Sequence, residues 1–392
     1  MNTRKHIEII RTKLEGYPLI ISGNELVQLS GDQETPFCQE ASFFWLTNID
    51  EPGWQLILDD KDAWLVSPTK SEIEEIFNGS SDFEDIRMNS GIDTIISQKE
   101  SESIIENLHS KYEAVYTVDP IVDAHHMVPN PTRAALIDQL RNSFKEVRDV
   151  QPIFYKLRAI KSEDEIKNIQ KAIDVSIGAF NKVKENIDTY NYEYEIEADF
   201  SYAFRHEGAQ GHAYEPIVAS GRHACTLHYN KNNEAVEKNA LVLLDIGARW
   251  NGYAADITRT YAVGEVSERE KAVHAAVERA HYEIISLLKP ELGVKEYHEK
   301  VDEIMKRELK ELGLLNKPDD YRTYFPHAVS HGLGIDVHDP LGMPKTFKPG
   351  MVLTVEPGIY IPEEGIGVRI EDNILITETG HKNLSETLST SL

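Results

Sequence analysis

The sequence predicts two domains in series, an α/β domain followed by an α+β domain. Three observations carry this. The chain has 392 residues, more than one ordinary hydrophobic core organises. Its first part alternates short runs of β-forming residues with helical patterns. Its second part interleaves long helical patterns with two strand–turn–strand segments. The boundary is expected near Tyr155 to Ile160, so that the domains are 1–156 and 157–392.

In the first domain "MNTRKHIEIIRTKLEG" has the spacing of an amphipathic helix, and "YPLIISG", "WQLILD", "AWLVSP" and "AVYTVDP" predict strands. Asp59 to Asp62, "DDKD", marks a hairpin turn between the second and third of these. "KSEIEEIFNG" and "SESIIENLHSKY" read as helices. No phosphate-binding loop or metal-ligand cluster is visible here, so a structural or oligomerisation role is expected.

The second domain opens on a helix. Ser162 is a good N-cap and Glu165 completes a capping box. Ile166, Ile169, Ala172, Ile173 and Ile177 then form an apolar stripe at helical spacing. "YEIEADFSYAFRHEG", "SEREKAVHAAVERAHYEIISLL" and "VKEYHEKVDEIMKRELKELG" predict further helices.

The acids stand out in the stretch "LLDIGARWNGYAADITRTYAVG", Leu243 to Gly264. Asn251-Gly252 between β-rich runs is a strong two-residue hairpin signal. It pairs Trp250 with Tyr253 and so sets Asp245 opposite Thr258. Asp256, two residues before Thr258, points to the same face. The two carboxylates become diagonal neighbours, roughly 7–8 Å apart at Cα. Two anions on a half-buried face repel and resist desolvation. A cation between them resolves this; a pair of solvated acids on an exposed sheet is the plainer alternative.

The same problem recurs near the C-terminus, where "GMVLTVEPGIYI" and "GIGVRIEDNILITE" flank "PEEG". With Pro362 to Gly365 as the loop, Ile361 faces Ile366 and Glu356 lies opposite Glu371. Pro357 and Gly358 can disturb this register. Directly opposed like charges destabilise a strand pair, and a divalent cation accounts for both hairpins with one assumption.

Between the hairpins lies "FPHAVSHGLGIDVHDP", with His327, His331 and His338. Gly332 and Gly334 imply a sharp turn or a close backbone approach. One histidine in such a loop is ordinarily a hydrogen-bonded structural residue. Three in this stretch, beside four unusual carboxylates, shift that balance, and one histidine with four carboxylates makes a mixed N/O set. It suits two hard or borderline divalent ions that share a bridging carboxylate and water. His228, in "PIVASGRHACTLHYN", reads by itself as a strand-end histidine with a local partner.

Composition narrows the partners. A formal net charge of −25 argues against nucleic-acid and anionic-membrane surfaces, which need a basic footprint. Cys38 and Cys225 make neither a disulfide framework nor a thiolate metal site, which suits a reducing, cytoplasmic location. The N-terminus lacks a signal peptide's apolar core, and no stretch approaches the roughly 20 apolar residues of a membrane span.

With these residues assembled, the chain resembles the pita-bread metallopeptidases, a family that includes the Xaa-Pro aminopeptidases, the Xaa-Pro dipeptidases (prolidases) and the methionine aminopeptidases. "LLDIGARWNGYAADITRT", "SHGLGIDVHD", "LTVEPGIY" and "GIGVRIEDNILITETG" stand in the family's order. "FFWLTNIDEPGWQLILD" resembles the N-terminal domain shared by the proline-specific members and creatinase, which methionine aminopeptidases lack. The resemblance implies a creatinase-like α/β domain followed by an α+β pita-bread catalytic domain. It also implies two divalent ions per chain on Asp245, Asp256, His331, Glu356 and Glu371. Asp256 and Glu371 would bridge, Asp245 would serve one ion, and His331 and Glu356 the other. Manganese is the family's expectation, and cobalt or zinc fits the same ligands. His228, His327, His338 and Arg369 match positions that line the substrate pocket. Ala328 departs from an expected glycine without removing a ligand. Creatinase has the fold without this metal set.

The activity implied is that of an exopeptidase cleaving between an N-terminal residue and a following proline. Such a bond has no N–H and a fixed φ, so it needs a dedicated pocket. A hydroxide shared by the two ions would attack the carbonyl. Glu356 would carry the proton, His338 would donate to the oxyanion, and Arg369 would orient Glu371 or hold substrate. A prolidase confined to dipeptides, and a non-catalytic binding protein of the same fold, are the alternatives. Relatives lead to the expectation of a homodimer or homotetramer.

Overall fold

The protein, a computed structural model, is described at residues 3–119, 130–315, 317 and 320–392. It divides into two compact units, Met1–Leu157 and Arg158–Leu392. No helix among the described residues is long and apolar enough to cross a membrane.

The first unit is built on a mixed six-stranded sheet. Its spatial order is Thr94–Ile96, Ala63–Val66, Gln55–Leu58, Leu19–Ser22, Ala114–Thr117, Glu146–Asp149. Four of these strands are the four that the alternation predicts. The turn at "DDKD" joins Leu58 to its partner Ala63, and the Asp59 carboxylate accepts the backbone N–H of Lys61 and of Asp62. That local bond is why aspartate starts such turns. Ile20, Ile57, Val66 and Val115 pack with Ile105 and Leu108 of helix Gln98–Lys111 and with Leu136 and Leu140 of helix Pro131–Ser143. Leu19, Ile21, Leu56 and Leu58, which alternate with that set, are also fully buried. The sheet is therefore covered on both faces. Helix Ala41–Thr47 has no counterpart in the pattern reading, because all seven of its residues are buried and no polar face reveals the period.

In the second unit, helix Glu163–Glu185 starts at the expected Ser162–Glu165 capping box. Ile169, Ala172, Ile173 and Ile177 are buried as predicted, whereas Ile166 is only half-buried. Glu165 goes inward in its place, and its Oε1 accepts from the Tyr253 hydroxyl at 3.1 Å. Helices Glu193–His206, Glu268–Leu287 and Val294–Glu311 follow the remaining predictions. The last two share one core with the second hairpin, through residues such as Val277, Ile284, Met305, Leu353, Ile359 and Ile374.

Both hairpins keep their predicted registers and both break where the acids sit. In the first, Asp245 pairs with Thr258 and Trp250 with Tyr253. Asn251 and Gly252 both have positive φ, 46° and 80°, as a type I′ turn requires. The two paired stretches belong to different sheets, and Asp256 lies in the gap between them. In the second, Ile361 pairs with Ile366 and Val355 with Asp372, so the register passes intact through Pro357 and Gly358. Regular pairing is nevertheless lost at Glu356 and Glu371. Each finds a backbone partner elsewhere: the Glu371 N–H donates to Thr258 O and the Glu356 N–H to Val329 O.

Candidate metal centre

Strand registers put the acids on one face. Thr258 pairs with Asp245 on one side and bridges to Glu371 on the other. Directly paired side chains point the same way, so these three form a row. Asp256 precedes Thr258 by two residues and Arg369 precedes Glu371 by two, so both join that face. A further extended segment, Val329 to Leu333, runs along Val352 to Glu356. There the Leu333 N–H donates to Val352 O and the Thr354 N–H to His331 O. His331 thus faces Thr354, and Glu356 is its diagonal neighbour.

The result is three overlapping groups whose candidate ligand atoms lie within 4.8 Å of one another: Asp256–His331–His338, His331–Glu356–Glu371, and Asp245–Asp256–Glu371. His331 Nε2 is 3.4 Å from both Asp256 Oδ2 and Glu356 Oε1. All nine residues predicted for the site (Asp245, Asp256, Glu356, Glu371, His228, His327, His331, His338, Arg369) line one cavity of about 840 Å³. Ile217, Leu227 and Val337 give it apolar walls. His228 and His338 are exposed in it, while His327 is half-buried and its Nε2 sits 2.9 Å from the Tyr360 hydroxyl.

The electrostatics fit a divalent cation. Burial, followed by the neighbouring carboxylates, pushes Glu371 well above the usual range. Burial lifts Glu356 to about 7, against the pull of His331 and Arg369. Burial also raises Asp245, opposed by Arg369. For His331, burial acts downward, but the Asp256 and Glu356 carboxylates outweigh it and hold the imidazole at about 9. Glu371 Oε1 is buried without a hydrogen-bond partner, and such an orphan calls for a partner of another kind. Converging carboxylates with an imidazole and no thiolate suit a hard or borderline ion.

Several residues outside the predicted set support the ligands. The Tyr214 hydroxyl donates to Asp245 Oδ1 at 2.6 Å. The Thr258 hydroxyl donates to Glu371 Oε2 at 2.7 Å. Asn373, fully buried, donates to the Asp256 carbonyl and accepts its N–H. Thr258 is legible in principle, since the hairpin register sets it opposite Asp245; nothing local marks Tyr214 or Asn373. Arg369 differs in detail from expectation. Its Nη2 lies 2.5 Å from Asp245 Oδ2, its Nη1 donates to the Tyr360 hydroxyl and its Nε to Thr258 Oγ1. It reaches Glu371 only through Thr258.

Comparison with known proteins agrees with this geometry. Residues 167–378 match the model of metallopeptidase family M24, and residues 4–116 match that of the aminopeptidase P N-terminal domain. The chain is 32% identical to the Xaa-Pro aminopeptidase of Haemophilus influenzae, over 91% of this chain and 87% of that protein. It is 35% identical to the Xaa-Pro dipeptidase of Pyrococcus furiosus, but over only 63% of this chain and 69% of that one. The solved structure of Escherichia coli aminopeptidase P with the inhibitor Pro-Leu superposes with a TM-score of 0.86 at 29% identity, covering 99% of this chain and 96% of that one. A family model spanning more than half of the sequence, over a carboxylate–histidine cluster of this kind, places the chain in metallopeptidase family M24, in the form that carries the N-terminal domain of aminopeptidase P.

Proposed function

We propose that this chain is an Xaa-Pro aminopeptidase, a metal-dependent exopeptidase that hydrolyses the bond between an N-terminal residue and a following proline. The observation that carries the reading is the set of overlapping ligand groups at one cavity. Asp245, Asp256, His331, Glu356 and Glu371 would hold two divalent ions, manganese by expectation. Asp256, Glu371 and His331 each belong to two of the three groups; of these, Asp256 and Glu371 are carboxylates, whose two oxygens can serve two ions. When bound, the ions supply Lewis acidity and lower the pKa of a water.

The remaining chemistry belongs to side chains. Glu356 accepts the proton of the attacking water at a carboxylate oxygen and returns it to the departing proline nitrogen. His338, exposed in the cavity, donates an N–H to the carbonyl oxygen as charge develops there. Ile217, Leu227 and Val337 take the apolar pyrrolidine ring, and His228 and His327 flank the substrate. Arg369 holds the Asp245 carboxylate. With three of its five N–H groups donating to protein and the residue 4% exposed, it offers a substrate carboxylate little access, which favours a groove open beyond proline. We assign residues 1–156 a structural role in a homodimer or homotetramer. We place the chain in the cytoplasm, in keeping with its free cysteines.

Comparing kcat/KM for Ala-Pro and Ala-Pro-Ala, on stripped enzyme reloaded with manganese, tests the reading. The tripeptide is expected to be cleaved at least as well, because added contacts become available to the transition state. A preference for the dipeptide that disappears on amidation of its C-terminus would establish a prolidase instead.

A further inference from the structure

The loop from His331 to Asp339 is closed on itself. The Asp339 N–H donates to Gly332 O at 2.9 Å, so His331 and His338 stand beside the two ends of one rung. Their rings meet edge to face with centroids 4.3 Å apart. Asp339 fills the interior of the loop. A Cβ on Gly332 would collide with the Asp339 carbonyl, and one on Gly334 with its carboxylate. Neither glycine has a positive φ, so close approach, and not a turn, is what requires them.

The Asp339 carboxylate is held by two cations. Lys161 Nζ donates to Oδ2 at 2.9 Å and Arg158 Nη2 donates to Oδ1. All three residues are at most 5% exposed, so none of these charges has water as an alternative partner. Arg158 Nη2 also reaches Asp336 in the same loop at 2.6 Å. From the first hairpin, Arg249 donates to Ile335 O and the Ala254 N–H to Gly334 O. His331 has a second restraint, the backbone pairing of its segment with Val352 to Glu356. His338 lies outside that paired segment and depends on the Asp339 clasp.

We infer that Asp339, clamped between Arg158 and Lys161, is the positioning residue for His338. It sets the distance of that imidazole from His331 and from the substrate carbonyl. Arg158 and Lys161 are two further positioning residues that act through it. The inference rests on the aminopeptidase reading for the role of His338, but not for the clasp itself. Misplacing a catalytic group by about 1 Å costs on the order of 10²-fold in rate, so a loosened clasp is read in kcat.

The test compares Lys161→Met and the double variant Lys161→Met/Asp339→Asn with wild type. The single variant leaves Asp339 with Arg158. The double variant removes one cation and one anion together and leaves Arg158 with Asp336. Arg279→Met, which breaks the distant Arg279–Glu308 pair of 2.6 Å, serves as a control for general destabilisation. Backbone amide exchange across 332–339 in metal-free protein is expected to rise at least about tenfold in both clasp variants and not in the control. On reloaded enzyme kcat is expected to fall about tenfold or more, with KM within about twofold and the metal content unchanged, since His331 stays paired. Unchanged exchange in the loop overturns the clasp. Raised exchange with kcat unaltered overturns its positioning role. A wild type that cleaves no Xaa-Pro peptide overturns the functional reading, and the exchange arm still decides the clasp.

Discussion

Asp256 and Glu371 are the two carboxylates proposed to serve both cations. Asp256→Asn or Glu371→Gln is expected to abolish both peptidase activity and retention of metal. Glu371→Gln should also make the stripped protein more stable, because burial and the neighbouring carboxylates disfavour its anion, whereas Asp256→Asn gives up the ion pair with His331 and gains less. Relief of about 1 kcal/mol corresponds to a Tm increase of about 2–4 °C. Metal analysis beside a thermal melt checks both signs, and full metal content with substantial turnover would refute the dinuclear assignment. His338→Ala should lower kcat by about 10²–10³-fold with metal content intact. If an ion is lost instead, the Asp256–His331–His338 group is a ligand set and His338 belongs to it. At this scale the sequence, read with the family resemblance, names residues that converge, since all nine line one cavity. It does not reveal their partners. Arg369 shares the face of Glu371 as period two requires, yet its direct carboxylate contact is Asp245, which Thr258 sets on the same face one strand further on.

At the scale of elements, local chemistry decides the ends. Ser162 caps helix Glu163–Glu185 by accepting the Glu165 N–H while the Glu165 carboxylate accepts the Ser162 N–H. Ser162→Ala should cost about 1 kcal/mol in urea unfolding. Gly252 at φ 80° sits where a Cβ is strained, so Gly252→Ala should cost about 1–2 kcal/mol. A loss well below that would mean that the turn relaxes. Elements with one clear period or a strong turn signal are legible in the sequence. Helix Ala41–Thr47, buried all round, and the inward turn of Glu165 are not, because each is explained by what packs against it and not by its neighbours along the chain.

At the scale of the whole molecule, pH and metal are linked. In metal-free protein Glu356 titrates near 7, above its ordinary value of 4.5. His331 titrates near 9, above 6.5. Groups raised on folding bind protons more tightly in the native state, so this part of the stability is lost as pH rises through the folded values. His281 behaves oppositely. Burial, against the attraction of Asp372, depresses it to about 4, so its contribution is complete above 6.5 and falls away between 6.5 and 4 as the unfolded chain takes up the proton first. A single melt mixes the two. The Tm difference between loaded and stripped protein cancels His281, which lies outside the cluster, and is expected to widen from about pH 5 to about pH 7.5 as the site loses protons that compete with metal. A difference that stays flat or narrows over that range would show that cation binding at this cluster displaces no protons.

The sequence by itself determined the capped helices, the four central strands of the first unit, both hairpin registers and the one-faced placement of the acids. Turn chemistry, capping and side-chain period act over a few residues and need no knowledge of the rest of the chain. Tertiary structure alone decided that Thr258 of one hairpin bridges to Glu371 of the other. It also decided that Val329 to Leu333 adds itself beside Glu356, and that Asp339 closes the histidine loop under Lys161 and Arg158. Those contacts join segments far apart in sequence. They are selected by the packing of a shared core and by the need of buried backbone and charged groups for partners, neither of which leaves a local trace.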